Sequence, residues 1–270
     1  MQEVSVIIST YNQPVWLEKV LVGYSCQSFK DFELIIADDG STAETNNLIK
    51  SFSNTSKLKI THLWQEDAGF RKTLILNKAI VASTSGYLIF TDGDCIPRKD
   101  FVETHIKLRK PGFFLSGGYF KLPLSLSKAI EKKNIISQQC FKKKWLIQNG
   151  LKPNFKMNKL NATGVKERFL NKFTTTKATF DGMNVSAAKN DIIAVNGFDT
   201  RMEYGGEDRE LGERLMNKGI KALQIRYSAI CLHLHHERHY VNAESLAKNK
   251  AIRKSTKTYK STWTNYGLVK

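Results

Sequence analysis

Short apolar, β-branched runs alternate with segments of helical period along the first third of the chain. Val4-Ser5-Val6-Ile7-Ile8 is apolar almost throughout, as a strand covered on both faces must be. Val15, Leu17, Val20, Leu21 and Tyr24 then fall at helical spacing over Val15 to Ser25, with Pro14 in the first turn. Phe32 to Ala37 predicts a second strand, which ends in Asp38-Asp39-Gly40-Ser41-Thr42 and is followed by a helix to about Phe52. Leu58 to Trp64 predicts a third strand and Leu74 to Ser83 a third helix. Tyr87-Leu88-Ile89-Phe90 predicts a fourth strand, running into Thr91-Asp92-Gly93-Asp94. This alternation predicts an α/β fold with a mostly parallel central sheet flanked by helices and a ligand site at the carboxyl ends of the strands. The polar clusters fall at those ends.

Over residues 125–148 the pattern predicts one long amphipathic helix, with Leu126, Ala129, Ile130, Ile136, Phe141, Trp145 and Leu146 set against lysines. Residues 149–179 read as a polar, basic loop. A second structured block opens at Phe180, with a short helix over Asp191 to Asn196, a longer one over Glu207 to Lys218 and a strand over Ala222 to Leu234. The organisation expected is residues 1–120, a Lys-rich helical and loop insert at 121–179, residues 180–240 completing the same domain, and a basic helical C-terminal tail at 241–270.

Composition narrows the class. A chain of 270 residues with 41% hydrophobic and 25% charged side chains can bury a sizeable core, which excludes a disordered or collagen-like protein. Cys26, Cys95, Cys140 and Cys231 are too dispersed for a zinc or redox motif and are expected as buried free thiols. No signal-peptide pattern follows Met1 and no apolar run approaches the roughly 20 residues of a membrane span, so the expected compartment is the cytoplasm. The net charge of +17 predicts an anionic partner. Much of it lies in residues 121–177, where 14 Lys or Arg face only Glu131 and Glu167.

Asp92 and Asp94, either side of a glycine at a strand end, can approach one divalent ion through hard oxygen ligands suited to Mg²⁺ or Mn²⁺. Alone, the triplet is more often a capped turn than a metal site, and Asp38-Asp39-Gly40-Ser41 is equally an Asx turn or helix N-cap. Together with Ser9-Thr10-Tyr11-Asn12 these segments resemble, in order and spacing, the nucleotide-sugar-binding half of family 2 glycosyltransferases. Gln65-Glu66-Asp67-Ala68-Gly69-Phe70-Arg71 is similar to a segment of the bacterial chondroitin-polymerase-like subgroup. Phe180-Asp181-Gly182-Met183-Asn184-Val185-Ser186, Asn196-Gly197-Phe198-Asp199 and Gly205-Gly206-Glu207-Asp208 resemble a galactosyltransferase-type region. The resemblance covers residues 1–120 and 180–240 and leaves the Lys-rich insert outside.

It implies a type A glycosyltransferase (GT-A) fold, an inverting mechanism, Mn²⁺ or Mg²⁺, and a UDP-sugar donor whose hexose or N-acetylhexosamine passes to a glycan or lipid-linked saccharide. Galactose or N-acetylgalactosamine is the first expectation. Thr10, Tyr11, Asn12, Asp39, Asp67, Arg71 and Asp92 are then expected at the nucleotide, Asp94 with Asp92 and His233 at the metal, and Asn184, Gly205 and Gly206 at the sugars. Asp208 is the expected base, with Glu207 beside it. Two acids in the first turn of a helix are also what the helix dipole favours. His235 is the second choice of imidazole, and His239 belongs to the same histidine-rich run.

Peripheral attachment to an anionic membrane face, through residues 125–148, is one reading of the insert; a helix packed over the acceptor site is the other. Two rival functions remain. A nucleic-acid-binding protein would use the charge and the aromatics Phe141, Trp145, Tyr259 and Trp263, although acids at the sheet edge would repel phosphate, so no nucleic acid is expected. A nucleotidyltransferase on a similar sheet would release pyrophosphate.

Overall fold

The computed structural model describes residues 2–237 and 241–268; His239 lies outside them. Four parallel strands, β1 (Val4–Thr10), β2 (Phe32–Asp38), β3 (Lys59–Trp64) and β4 (Tyr87–Asp92), alternate with α1 (Pro14–Ser25), α2 (Ala43–Thr55) and α3 (Lys72–Ala82). The short β5 (Cys95–Pro97) follows, then α4 (Phe101–Leu108), β6 (Phe113–Ser116) and β7 (Gly118–Lys121). After the insert come β8 (Asn184–Ala188), β9 (Lys221–Gln224) and β10 (Ile230–His233). The main sheet has the order β3-β2-β1-β4-β8-β6-β9, antiparallel only where β8 meets β4 and β6. A second sheet, β5-β10-β7, stands beside it. The arrangement is the α/β fold with a mostly parallel central sheet that the sequence predicts.

Every residue of β1 and β2 is buried because both sheet faces are covered. Alternation along the strands sends Val4, Val6, Ile8, Leu34 and Ile36 into one apolar cluster and Ile7, Ile35 and Ala37 into another. Helix α1 lies on the first face; α3 and the helix Glu207–Asn217 lie on the second. Among the described residues no helix is long and apolar enough to cross a membrane.

Three expectations are corrected. Residues 125–148 are not one helix but α5 (Leu124–Ala129), α6 (Lys132–Ile136), a 3₁₀ turn at Gln139–Phe141 and α7 (Lys143–Gln148). At about 100° per residue, a straight helix would point Ile135 and Leu146 away from Leu126, Ile130 and Phe141. Breaks at the Glu131–Asn134 capping box and at Gln138, whose φ is +59°, turn all five into the first core. These five side chains therefore pack on the protein and are closed to acyl chains, while Ile136 stays exposed and Trp145 half-buried.

Residues 149–179 carry α8 (Asn158–Asn161) and α9 (Gly164–Phe173) where a loop was expected. Finally, the strand expected over Ala222 to Leu234 is two strands in different sheets. Backbone bonds from Ser228 and Ala229 to the Ile225 carbonyl turn the chain between β9 and β10. The small sheet needs a middle strand between β5 and β7, and β10 supplies it. Cys26 is partly exposed, while the other three thiols are buried and free.

Candidate functional site

A cleft of about 1060 Å³ opens at the carboxyl ends of β1, β2 and β4. Thr10, Tyr11, Asn12, Asp39, Asp67, Asp92, Asp94, Gly205, Gly206, Glu207, Asp208 and His233 all line it. Of the expected site residues, Arg71 and Asn184 do not.

The loop after β1 and the loop after β2 are tied together. Asn12 donates its backbone N–H to Ser41 Oγ at 2.8 Å, and its amide oxygen accepts from Thr42 N at 2.8 Å. Asp38 has the turn role its neighbours suggested: it accepts from Ser41 N at 2.8 Å and pairs with His62 Nε2 at 2.9 Å. Asp39 faces the cleft. Its two oxygens accept from Gln65 Nε2 at 2.6 Å and Arg71 N at 2.8 Å, and burial raises its pKa. Tyr11 donates its hydroxyl to Asp67 at 2.8 Å across the mouth. The Thr10 hydroxyl is buried without a hydrogen-bond partner in the protein, an orphan that a ligand hydroxyl or phosphate would satisfy.

The guanidinium of Arg71 donates to the Glu66 carbonyl, so this residue positions the loop through its main chain and does not reach the cleft. Asn184 is likewise misplaced by sequence reasoning. It is 1% exposed; its amide donates to the carbonyls of Gly118 at 2.7 Å and Ala229 at 3.1 Å, and its oxygen meets His105 Nε2 at 2.9 Å. Its amide nitrogen joins the two sheets and its oxygen holds His105 of α4, which leaves no side-chain polar atom to read a sugar. Asn184→Ala is expected to cost at least about 2 kcal/mol in chemical unfolding, since several buried groups lose partners, with the KM for donor unchanged.

The metal question turns on one register. β10 runs antiparallel to β5 with His233 opposite Cys95, which sets the imidazole beside Asp94. Ligand atoms of Asp94, Cys95 and His233 lie within 4.8 Å of one another. His233 Nδ1 sits 2.9 Å from the Leu234 carbonyl, a partner that takes the N–H and leaves Nε2 as a lone-pair donor. Burial, reinforced by Cys231, holds the Cys95 thiol well above its usual pKa in the metal-free protein.

A carboxylate with an imidazole fits Mn²⁺ or Mg²⁺ better than a soft metal. His236, a residue that the histidine-rich run had not singled out, stacks on His233 with centroids 5.3 Å apart and lies 3.2 Å from Asp94, beside this group. The exposed His235 instead donates its backbone N–H to Ser127. Asp92 is drawn elsewhere: Lys72 Nζ donates to it at 2.8 Å and Ser9 Oγ at 2.6 Å.

Lys72, Asp181 and Asp208 complete the floor. Burial works to lower the Lys72 pKa, but Asp92, Asp208 and Glu207 outweigh it and hold the ammonium charged well above its usual range. Burial would raise Asp92, and Lys72 holds it below its usual value. Asp181 is raised by burial and by Asp92. Asp208 accepts from Gly182 N at 3.0 Å through one oxygen, while the other is buried without a partner. Burial, then the neighbouring Glu207, pushes its pKa up to about 8. Glu207 accepts from Gly205 N at 2.9 Å, closing a turn whose two glycines have φ of +114° and +94°, which other residues adopt only with strain.

Lys72 was legible in principle. Arg71 and Lys72 stand at the positive end of α3, an unfavourable place for cations unless acids elsewhere hold them.

Residues 5–112 match the family described as Glycosyl transferase family 2, and residues 168–239 match the N-terminal domain of galactosyltransferase. Validoxylamine A glucosyltransferase of Streptomyces hygroscopicus is 26% identical over 254 residues, covering 91% of this chain and 58% of that protein. Chondroitin synthase of Escherichia coli is 26% identical over 227 residues, covering 80% and 32%. The chain thus spans between about a third and three fifths of the length of these relatives.

Among solved structures, Staphylococcus aureus TarS 1-349 in complex with UDP-GlcNAc superposes with a TM-score of 0.64 at 15% identity, covering 96% of this chain and 69% of that one. A mannosyltransferase from Pyrobaculum calidifontis in complex with GDP-Man and Mn²⁺ gives 0.61 at 19%, covering 88% and 59%.

Proposed function

We propose that the chain, whose residues 5–112 match glycosyl transferase family 2, transfers a hexose or N-acetylhexosamine from a UDP-sugar to a hydroxyl of a growing glycan or glycolipid. The observation that carries this reading is the convergence of Asp39, Asp92, Asp94, Asp208 and His233, from segments far apart in sequence, on one cleft. Asp39, Thr10 and the Tyr11–Asp67 pair form the nucleoside wall. Asp94 and His233, with His236 in reach, hold Mn²⁺ or Mg²⁺, which when bound supplies Lewis-acid stabilisation of the departing diphosphate.

Lys72 adds fixed positive charge beside Asp92 in a cleft that Arg209 also lines. Asp208, kept protonatable near neutral pH, takes the proton of the acceptor hydroxyl, as inversion at the anomeric carbon requires. Gly205 and Gly206 let main chain approach the sugars. Galactose or N-acetylgalactosamine is the donor sugar favoured by the match over 168–239.

The test is a screen of UDP-galactose, UDP-N-acetylgalactosamine, UDP-glucose, UDP-N-acetylglucosamine and GDP-mannose for hydrolysis with and without Mn²⁺, with product identification. One UDP-sugar is expected to give UDP and free sugar only with metal. In a parallel reaction supplied with UTP and a sugar 1-phosphate, release of pyrophosphate would mean a nucleotidyltransferase, and failure of every sugar nucleotide to react or to raise the melting temperature would sink the reading.

A further inference from the structure

Helix α9 (Gly164–Phe173) is attached to the protein by its polar side. Glu167 accepts from the Ser228 hydroxyl, and Asn171 donates to Ser228 Oγ at 2.8 Å and accepts from Tyr227 N at 2.9 Å. None of its residues is buried. Val165, Phe169 and Phe173 are 83%, 58% and 61% exposed. At about 100° per residue these three form one stripe centred opposite the Glu167–Asn171 edge. The two phenyl rings pack on each other with centroids 4.4 Å apart.

An amphipathic helix normally turns such a stripe inward; this one turns it outward, among the described residues against nothing. Lys172 and Arg168 flank the stripe on one side and Lys166 on the other, all exposed, in the part of the chain that carries most of the excess positive charge.

We propose that α9 is an interfacial helix that seats the protein on an anionic lipid surface, Val165, Phe169 and Phe173 entering the acyl boundary and the flanking cations meeting lipid phosphates. An apolar stripe framed by cations fits that surface, whose interior accepts phenyl groups and whose headgroups are negative. A water-soluble anion such as free phosphate would leave the rings exposed, and a neutral apolar partner would leave the cations unmatched. The anchor residues Tyr227 and Ser228 precede β10, whose far end carries His233, so the docked helix leaves the donor cleft on its own side of that strand.

The experiment is co-sedimentation of the full chain with vesicles of phosphatidylglycerol and phosphatidylcholine at low salt, with pure phosphatidylcholine as the comparison and no donor present. Its outcome is therefore independent of whether the chain transfers a sugar. The protein is expected to pellet with the anionic vesicles. The triple variant Val165→Ser, Phe169→Ser, Phe173→Ser is expected to lose binding at least about tenfold, with an unchanged melting temperature because the residues replaced are exposed. Lys166→Gln with Lys172→Gln is expected to weaken binding and remove most of its salt dependence. Wild-type protein left in the supernatant, a triple variant that pellets as wild type does, or lipid-free self-association abolished by the triple variant would each overturn the assignment.

Discussion

Asp208→Asn is expected to lower sugar transfer by on the order of 10²–10⁴-fold, the range for loss of a positioned general base, while donor binding changes little. The substitution keeps size and the bond from Gly182 N but cannot accept a proton. Because burial and Glu207 raise the Asp208 pKa to about 8, the wild-type rate should fall as the pH drops below that value, and the variant's residual rate should lack this limb.

The same shift has a stability consequence in the donor-free protein. A carboxyl group whose folded-state pKa lies above its unfolded value near 3.8 stabilises the fold fully below the unfolded value, and that contribution is lost as the pH rises through about 8. Thermal melts between pH 5 and 9 should therefore show a decline that Asp208→Asn flattens. An equal slope in both proteins, together with an unaltered pH–rate profile, would remove Asp208 from the role of base.

Asp94→Asn is expected to be as damaging by another route. Its carboxylate stands with His233 Nε2 and His236 at the end of β10, and no other acid shares that cluster among the described residues. An amide of the same shape preserves packing but removes the negative charge, so Mn²⁺ affinity should fall by at least about 100-fold. Donor hydrolysis should fall on the order of 10³-fold, because stabilisation of the leaving diphosphate is lost. Titration with Mn²⁺ separates the two effects: a variant that still bound the ion normally and yet lost activity would place Asp94 at the nucleotide.

Much of the donor wall could be read from the chain because it is built from loops directly attached to strands. Once Val4 to Ile8, Phe32 to Ala37 and Tyr87 to Phe90 are recognised as parallel strands, Thr10, Asp39 and Asp92 must share one edge. Lys72, His236 and the true role of Asn184 were not legible in the same way. A lysine at a helix start, a histidine among several and an asparagine in a strand acquire their functions from partners far along the chain, at Asp92, Asp94 and Gly118. The insert misled for a related reason: its apolar positions fit a helix only loosely, and the breaks that bring them to one side are set by what α1 and the first core require.

The sequence by itself determined the strand–helix alternation, the class of fold and the edge of the sheet at which polar residues gather, because periodicity and turn chemistry act over a few residues and need no distant partner. Only the tertiary structure decided that β10 sits beside β5, placing His233 at Asp94. It alone decided that burial makes Asp208 a weak acid and that α9 faces outward. Each of these depends on desolvation or on strand register between segments far apart in the chain, quantities that arise only when the chain is packed.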